Sequence, residues 1–177
     1  MTMTRFRSRL RSDQRGVAAI EFAIVAPVLV VLLLSVVTYF TAARDDHQAK
    51  RAAFTVSDLI TRQTSVDTAF LTLARQILIH TSPTSASEPA LRVTSVSRPV
   101  DAMTVDWSYA TPPFAAMTSV AVPAARLPAI AVGESLIVVE TDAAYAPAFP
   151  IAGLVLPRLQ NLTSARPRLV GRIARTN

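Results

Sequence analysis

The chain has 177 residues, no cysteine and a formal net charge of +6. That length accommodates one membrane anchor and one small domain, and the lack of cysteine excludes disulfides, thiolate metal sites and cysteine nucleophiles. Arginines at the two ends of the chain carry the excess charge, and aromatic residues make up only 6% of the sequence, so no nucleic-acid partner is predicted.

A basic leader precedes a long apolar run. Residues 1–16 contain five arginines and one acidic residue, Asp13, whereas residues 22–43 contain no charge at all. Those 22 residues, as a helix, are long enough to cross a hydrocarbon core of about 30 Å. Their Val, Leu, Ile and Phe side chains favour insertion by roughly 4 to 8 kcal/mol, which outweighs a cost of about 3 kcal/mol for Glu21. We therefore predict a transmembrane helix over residues 17–43, kinked at Pro27, with membrane lipid as a partner.

The two flanks of this helix differ in charge, which predicts its orientation. The leader is strongly basic, while residues 44–51 mix arginine, lysine and aspartate. Basic residues stay on the cytoplasmic side of a membrane. The N-terminus is therefore predicted to be cytoplasmic, and the chain from about residue 44 onward to lie outside.

Several kinds of N-terminal signal compete for this region. A secretory signal peptide would be cut after Ala43, where Thr41, Ala42 and Ala43 resemble a cleavage site, but the apolar run is too long and begins with a carboxylate. The twin-arginine route lacks its adjacent arginine pair. An uncleaved signal anchor fits the length and the charges, yet it gives no reason for Glu21.

A prepilin-type signal accounts for the carboxylate. In such a signal a membrane peptidase cuts at the cytoplasmic edge of the helix, and here Gly16 would precede the cut and Val17 would become the new N-terminus. Glu21 would then be the fifth mature residue and Phe22 an aromatic sixth. A carboxylate at that position can neutralise a free amine, most favourably the amine of a neighbouring subunit.

The stretch from Arg15 to Pro27, RGVAAIEFAIVAP, resembles the start of TadE/TadF-like pseudopilins, which are minor components of the tight-adherence (Flp pilus) assembly machinery of bacteria. Less specific similarity continues in the order of four later segments: 105–108, 138–140, 145–150 and 166–168. The resemblance implies a minor pseudopilin that takes part in assembly of Flp-type (type IVb) adhesive pili and has no cofactor. It implies processing by a prepilin peptidase between Gly16 and Val17, and assembly contacts through Glu21 and Phe22. The partners would be other pilin-like subunits and the pilus assembly platform, and the location the bacterial inner membrane with a periplasmic C-terminal domain.

The outer part of the chain divides into a helical and a β-rich section. Apolar residues recur at helical spacing through residues 44–80, so the membrane helix is predicted to continue outward. Thr64 and Ser65 are predicted to cap a second helix, with Asp67 in its first turn, and Pro83 to end it. Eleven of the twelve prolines follow residue 80, which indicates strands and turns over residues 81–177.

Four segments of this section are strand candidates: 91–97, 104–109, 136–140 and, more weakly, an edge strand over 168–174. The predicted fold is α+β and pilin-like, a long N-terminal helix packed on a small antiparallel sheet. The C-terminal arginines are predicted to be a solvated tail, or else to meet lipid headgroups or an acidic partner.

No catalytic constellation appears in the sequence. The two histidines, His47 and His80, are far apart and have no partners at metal-ligand spacing. Gly133, Glu134 and Ser135 begin like a nucleophile elbow, but the second glycine is missing. We therefore predict that the protein is not an enzyme and binds no metal.

Overall fold

The computed structural model describes residues 16–83, 87–120, 122, 126–147, 149 and 158–176. Almost all of the predicted basic leader lies outside these residues. The described chain contains two α-helices, a four-stranded antiparallel sheet and a separate pair of two-residue strands. The predicted α+β class, with a long apolar N-terminal helix and a small antiparallel sheet, is confirmed.

Helix α1 (Val17–Thr61) has 45 residues and spans about 68 Å at 1.5 Å per residue. It continues through Pro27 and past the end of the apolar run, as predicted for the outward extension. Its first part presents apolar side chains to the exterior, whereas its last part is buried on one face. Among the described helices, α1 is the one long and apolar enough to cross a membrane.

Helix α2 (Thr68–Thr81) begins differently from the prediction. Asp67 is its N-cap, and the Asp67 Oδ1 atom accepts a 2.7 Å hydrogen bond from the backbone N–H of Phe70. The predicted cap at Thr64 and Ser65 is therefore wrong. The reason is tertiary, because Ser65 and Val66 form strand β1, which must be extended to pair with the C-terminal segment. The predicted end before Pro83 is confirmed.

The main sheet has the strand order β3-β2-β4-β5, and every neighbouring pair is antiparallel. The first three predicted strands are confirmed, each extended by one to four residues. Strand β2 follows the loop after α2, and β2 and β3 form a hairpin with a register shift between Ser95 and Val96. The strand bounds are β2 (Ala90–Ser97), β3 (Thr104–Ala110), β4 (Ser135–Ala143) and β5 (Leu159–Ala165).

The fourth predicted strand, over residues 168–174, is wrong. The fourth strand of the sheet is β5, and of the predicted segment only its last residue, Ala174, is in a strand, the two-residue β6 (Ala174–Arg175) that runs parallel to β1. Four of the seven residues of β5 are polar or hydroxylated side chains, which weakens its pattern in the sequence. The strand forms because β4, buried along most of its length, offers it an antiparallel partner from Ile137 to Ala143.

The main core lies between the sheet and the two helices. Trp107 and Tyr109 of β3 pack against this core from the sheet edge, and the Trp107 Nε1–H group donates a 2.8 Å hydrogen bond to the carbonyl oxygen of Ile173. A second cluster on the opposite face of the sheet joins Leu136 and Val138 to the loop that follows β3. The most buried large side chains of the main core are Val56, Ile60, Leu71, Leu78, Leu91, Val93, Ile137, Val139 and Ile173.

Replacing Ile60 should destabilise the outer domain, because this side chain is fully buried in the core that joins α1, α2 and the sheet. We expect Ile60→Ala to lower the free energy of unfolding by about 2–5 kcal/mol. Phe54→Ala, on the exposed face of the same helix with 62% exposure, should change it by less than about 0.5 kcal/mol. Urea unfolding of the full chain in detergent, followed by Trp107 fluorescence, measures both. Equal effects of the two substitutions would contradict this account of the core.

Candidate processing and assembly site at the start of the membrane helix

The predicted cleavage site lies at the first residue of α1. Gly16 is the N-cap, with φ −88° and ψ −16°, and it makes no capping hydrogen bond through a side chain. Val17 is the first helical residue, and both residues are exposed. The Gly16–Val17 peptide bond is therefore accessible at the boundary between the leader and the helix.

The fold does not require glycine at position 16. Its φ angle is negative, so an L-residue is free of strain there. A Cβ atom built on Gly16 would have no other atom within 4 Å. By contrast, Gly133 has a φ of +86°, where glycine is favoured. The glycine at position 16 thus has no structural explanation in the described residues.

Glu21 and Phe22 lie on the first turns of α1 and face outward. Val17 and Glu21 are four residues apart, so they share one face of the helix. No hydrogen bond or ion pair with another part of the described chain reaches Glu21. Phe22 is 69% exposed, so its ring is free to contact lipid or another helix.

Glu21 differs in this respect from the hydroxyl groups of the apolar run. The Ser35 Oγ–H group donates a 2.8 Å hydrogen bond to the Val31 carbonyl oxygen, and the Thr38 Oγ1–H group donates a 2.8 Å hydrogen bond to the Leu34 carbonyl oxygen. These bonds to the preceding turn satisfy polar groups inside a membrane without a partner helix. An ionised Glu21 carboxylate has no proton to donate to a carbonyl of the preceding turn. Its burial in lipid would be costly unless a cation from outside the helix pairs with it.

The C-terminal arginines are neither a free tail nor an open basic patch, so the prediction of a solvated tail is corrected. Four of these five arginines contact carboxylates from distant parts of the chain. The fifth, Arg175, donates a 2.9 Å hydrogen bond to the Ser108 carbonyl oxygen. The carboxylate pairs are Arg158 with Asp142 at 2.7 Å, Arg166 with Glu134 at 3.1 Å, Arg168 with Asp58 at 2.7 Å, and Arg172 with Asp106. The hydrogen bond and the charge of Asp142 raise the pKa of the Arg158 guanidinium. Sequence spacing missed these pairs because their members are 16 to 110 residues apart.

Among the described residues, no group of three or more histidine, aspartate or glutamate side chains could hold a metal ion. His47 lies on α1 and His80 on α2, and both are exposed.

A family model described as TadE-like protein matches residues 16–57. The match covers 42 of the 177 residues, so the similarity to this family is shown for that segment. The resemblance predicted from the stretch around Gly16 and Glu21 is thereby confirmed for the matched residues. The match begins at the N-cap of α1 and ends within its buried outer part, so it covers the predicted processing and assembly residues but not the sheet. The comparison with curated proteins and the comparison with solved structures each found no match.

The TadE-like segment coincides with the helix that is long and apolar enough to span a membrane. Together these two observations indicate a membrane-anchored protein. The apolar first part of the matched segment is mostly exposed, whereas its last part is buried on one face, through Ala49, Ala52, Ala53, Val56 and Ser57. One segment thus serves both as the anchor and as a structural element of the outer domain.

Gly16→Ala tests whether the glycine is structural. We expect the variant to fold and to insert like the parent chain, with a change in the free energy of unfolding below about 0.5 kcal/mol, because the added methyl group meets no atom. Gly133→Ala should cost more than Gly16→Ala, since its φ of +86° strains any other residue. Circular dichroism and urea unfolding in detergent compare the two. A larger loss at position 16 than at position 133 would show that the fold does depend on Gly16.

Proposed function

We propose that this protein is a minor pseudopilin-like membrane protein that takes part in assembly of Flp-type (type IVb) pili. In this proposal a prepilin peptidase cuts between Gly16 and Val17. The observation that carries the proposal is the TadE-like match, which starts at Gly16 and includes Glu21, an exposed carboxylate with no partner among the residues that the structure describes. A structural role in assembly, and no catalytic turnover, is the function that these features support.

Cleavage would create the cation that Glu21 lacks. After the cut, Val17 would carry a free ammonium group at the start of the helix. Apolar helices gain little hydrophobic free energy by meeting each other in lipid, because lipid tails are as apolar as leucine. A carboxylate and an ammonium group from two subunits attract strongly in this low-dielectric setting, and they would fix the axial register of neighbouring helices.

The proposed topology divides the chain into four parts. Residues 1–16 are the cytoplasmic leader, residues 17–43 span the inner membrane, residues 44–80 form a periplasmic helical segment, and residues 81–177 form the periplasmic β-rich section. The proposed partners are the prepilin peptidase, other pilin-like subunits and the pilus assembly platform. The outer sheet, together with the exposed face of α1, would supply the surface for docking.

An uncleaved anchor that carries a periplasmic binding domain is the second candidate. It requires only the single apolar helix, which precedes a buried core that begins at Ala49 in the described residues. Release by a signal peptidase after Ala43 fits the structure less well. Such a cut would remove Thr41, whose Oγ1 atom lies 3.0 Å from the Tyr145 hydroxyl, and Thr38, which is fully buried.

The N-terminus of the mature protein distinguishes these candidates. We expect intact-mass and N-terminal analysis of protein from its native host to give Val17 as the first residue. Gly16→Leu should leave the leader attached, because a peptidase that recognises glycine before the cut would reject a branched side chain. Gly171→Leu is the matched control, since Gly171 is also exposed and open, and it should be processed normally. A first residue of Met1 in the parent chain would favour the uncleaved anchor, and Arg44 would favour release.

Glu21→Gln tests the charge pair separately from processing. The variant keeps the size of the side chain and loses the charge, so we expect normal membrane insertion and normal cleavage but weaker pilus assembly. Glu21→Asp keeps the charge on a shorter side chain and should restore part of the assembly. Piliation is measured by electron microscopy of cells, with membrane fractionation as the control for insertion. Normal piliation with Glu21→Gln would contradict the proposed role of the carboxylate.

A further inference from the structure

The end of the sheet nearest the membrane contacts α1 inside its apolar run. The Tyr145 hydroxyl, just after β4, lies 3.0 Å from the Thr41 Oγ1 atom. Tyr145 also packs against a small cluster in which Ala143 and Leu159, at the adjoining ends of β4 and β5, meet Ala49. The connection between β4 and β5 therefore starts and ends at the junction of α1 with the membrane.

Thr41 lies within the stretch that would be embedded in lipid. It precedes the first charged residue, Arg44, by three residues, or about 4.5 Å along the helix axis. Tyr39 and Phe40 lie at the same level, and both rings are exposed. Aromatic rings are enriched where a membrane meets water. Tyr145 thus lies at the same level along α1 as Tyr39 and Phe40, which is the level expected for the membrane interface.

A stripe on this face of α1 is shielded by the chain even deeper in the apolar run. Thr38 is fully buried, and Leu34 and Ser35 are half-buried, although most of their neighbours on the helix are exposed. Residues 34, 38 and 41 are spaced at four and three positions, which places them on one face. Leu34 lies about 15 Å below Arg44 along the helix axis. The helix is therefore covered on one side at a depth that belongs to the outer half of a membrane.

The connection between β4 and β5 has the chemistry of a lipid-facing segment. Residues 143–157 contain no charged side chain. Phe149 is 45% exposed, and Tyr145 and Pro147 are half-buried. Charged groups return on both sides of this segment, where Asp142 and Arg158 form a 2.7 Å ion pair. Tyr145, Pro147 and Phe149 thus belong to an uncharged stretch of sequence, and the charged residues that flank this stretch neutralise each other.

We propose that the tip defined by Tyr145, Pro147 and Phe149 lies in the lipid of the membrane leaflet that surrounds the outer end of the apolar run of α1, near Thr41. The lipid is the occupant because the tip is continuous with the membrane-spanning part of α1, through the contact between Tyr145 and Thr41. The outer domain would then be held against the membrane at two places, the helix and the tip, and would not stand away from it on a helical stalk. This inference depends on α1 spanning a membrane and not on the pilus role.

Single-cysteine probes test the proposal on the full chain, which has no native cysteine. Phe149→Cys is labelled with the environment-sensitive fluorophore NBD, and the protein is reconstituted in phosphatidylcholine and phosphatidylglycerol vesicles. Tyr39→Cys is the lipid-facing control on α1. Val100→Cys is the water-facing control, since it is 64% exposed in the turn between β2 and β3, at the far end of the sheet. Lipids that carry a nitroxide on the acyl chain are then added as quenchers.

We expect NBD at position 149 to emit at shorter wavelength than at position 100 and to be quenched by the nitroxide lipids to nearly the same extent as at position 39. The label on Ala146→Cys, a small exposed residue of the same tip, should respond in the same way and guards against a local effect at Phe149. Emission and quenching at 149 and 146 equal to those at 100 would overturn the proposal. An apolar environment without lipid quenching, which grows with the protein-to-lipid ratio, would also overturn it, because it would identify a second copy as the occupant.

Discussion

The structure depends on one continuous helix, α1, whose first part is suited to lipid and whose outer part packs in a water-facing domain. The first part of α1 is apolar on all sides and exposed, as a lipid environment requires, whereas its outer part is buried on one face only. The buried residues of that outer part, Ala52, Val56 and Ile60, line the core shared with α2 and the sheet. Unfolding the outer domain would expose this apolar face of α1 to water, because it lies beyond the part of the helix that lipid covers. The stability of the outer part of α1 therefore depends on the folded domain.

The sequence was sufficient for those parts of the fold that are local or strongly apolar. Apolar character predicted the membrane part of α1, helical spacing predicted its outward continuation, and the central strands β2 and β4 were apparent from β-branched and aliphatic residues. Strand β5 and the cap at Asp67 were missed because each depends on a distant partner. Strand β5 needs the exposed edge of β4, and Asp67 became the cap only because Ser65 and Val66 pair with the C-terminus.

The candidate site shows the same division. Gly16, Val17, Glu21 and Phe22 were predicted from their resemblance to a prepilin-type signal, which the sequence can show because they lie within seven consecutive residues. The ion pairs of the C-terminal arginines, and the contact between Thr41 and Tyr145, join residues that are far apart in the chain. Spacing carries no information about such pairs, so only the folded arrangement shows that the basic C-terminus neutralises the outer domain's own carboxylates.

The continuity of α1 has a mechanical consequence for assembly. Glu21 and Ile60 are 39 residues apart on one helix, or about 58 Å. A helix transmits an axial displacement along its length because each turn is hydrogen-bonded to the next. An ion pair that fixes the height of Glu21 in a row of subunits would therefore also fix the height of the sheet above it. The tip at Tyr145 adds a second constraint at the membrane surface, and the two can be satisfied together only if the helix keeps one depth in the bilayer. Glu21 lies near the start of the membrane-spanning part of α1, and the tip lies near the end of that part. Together they would set how far the outer domain projects from the membrane.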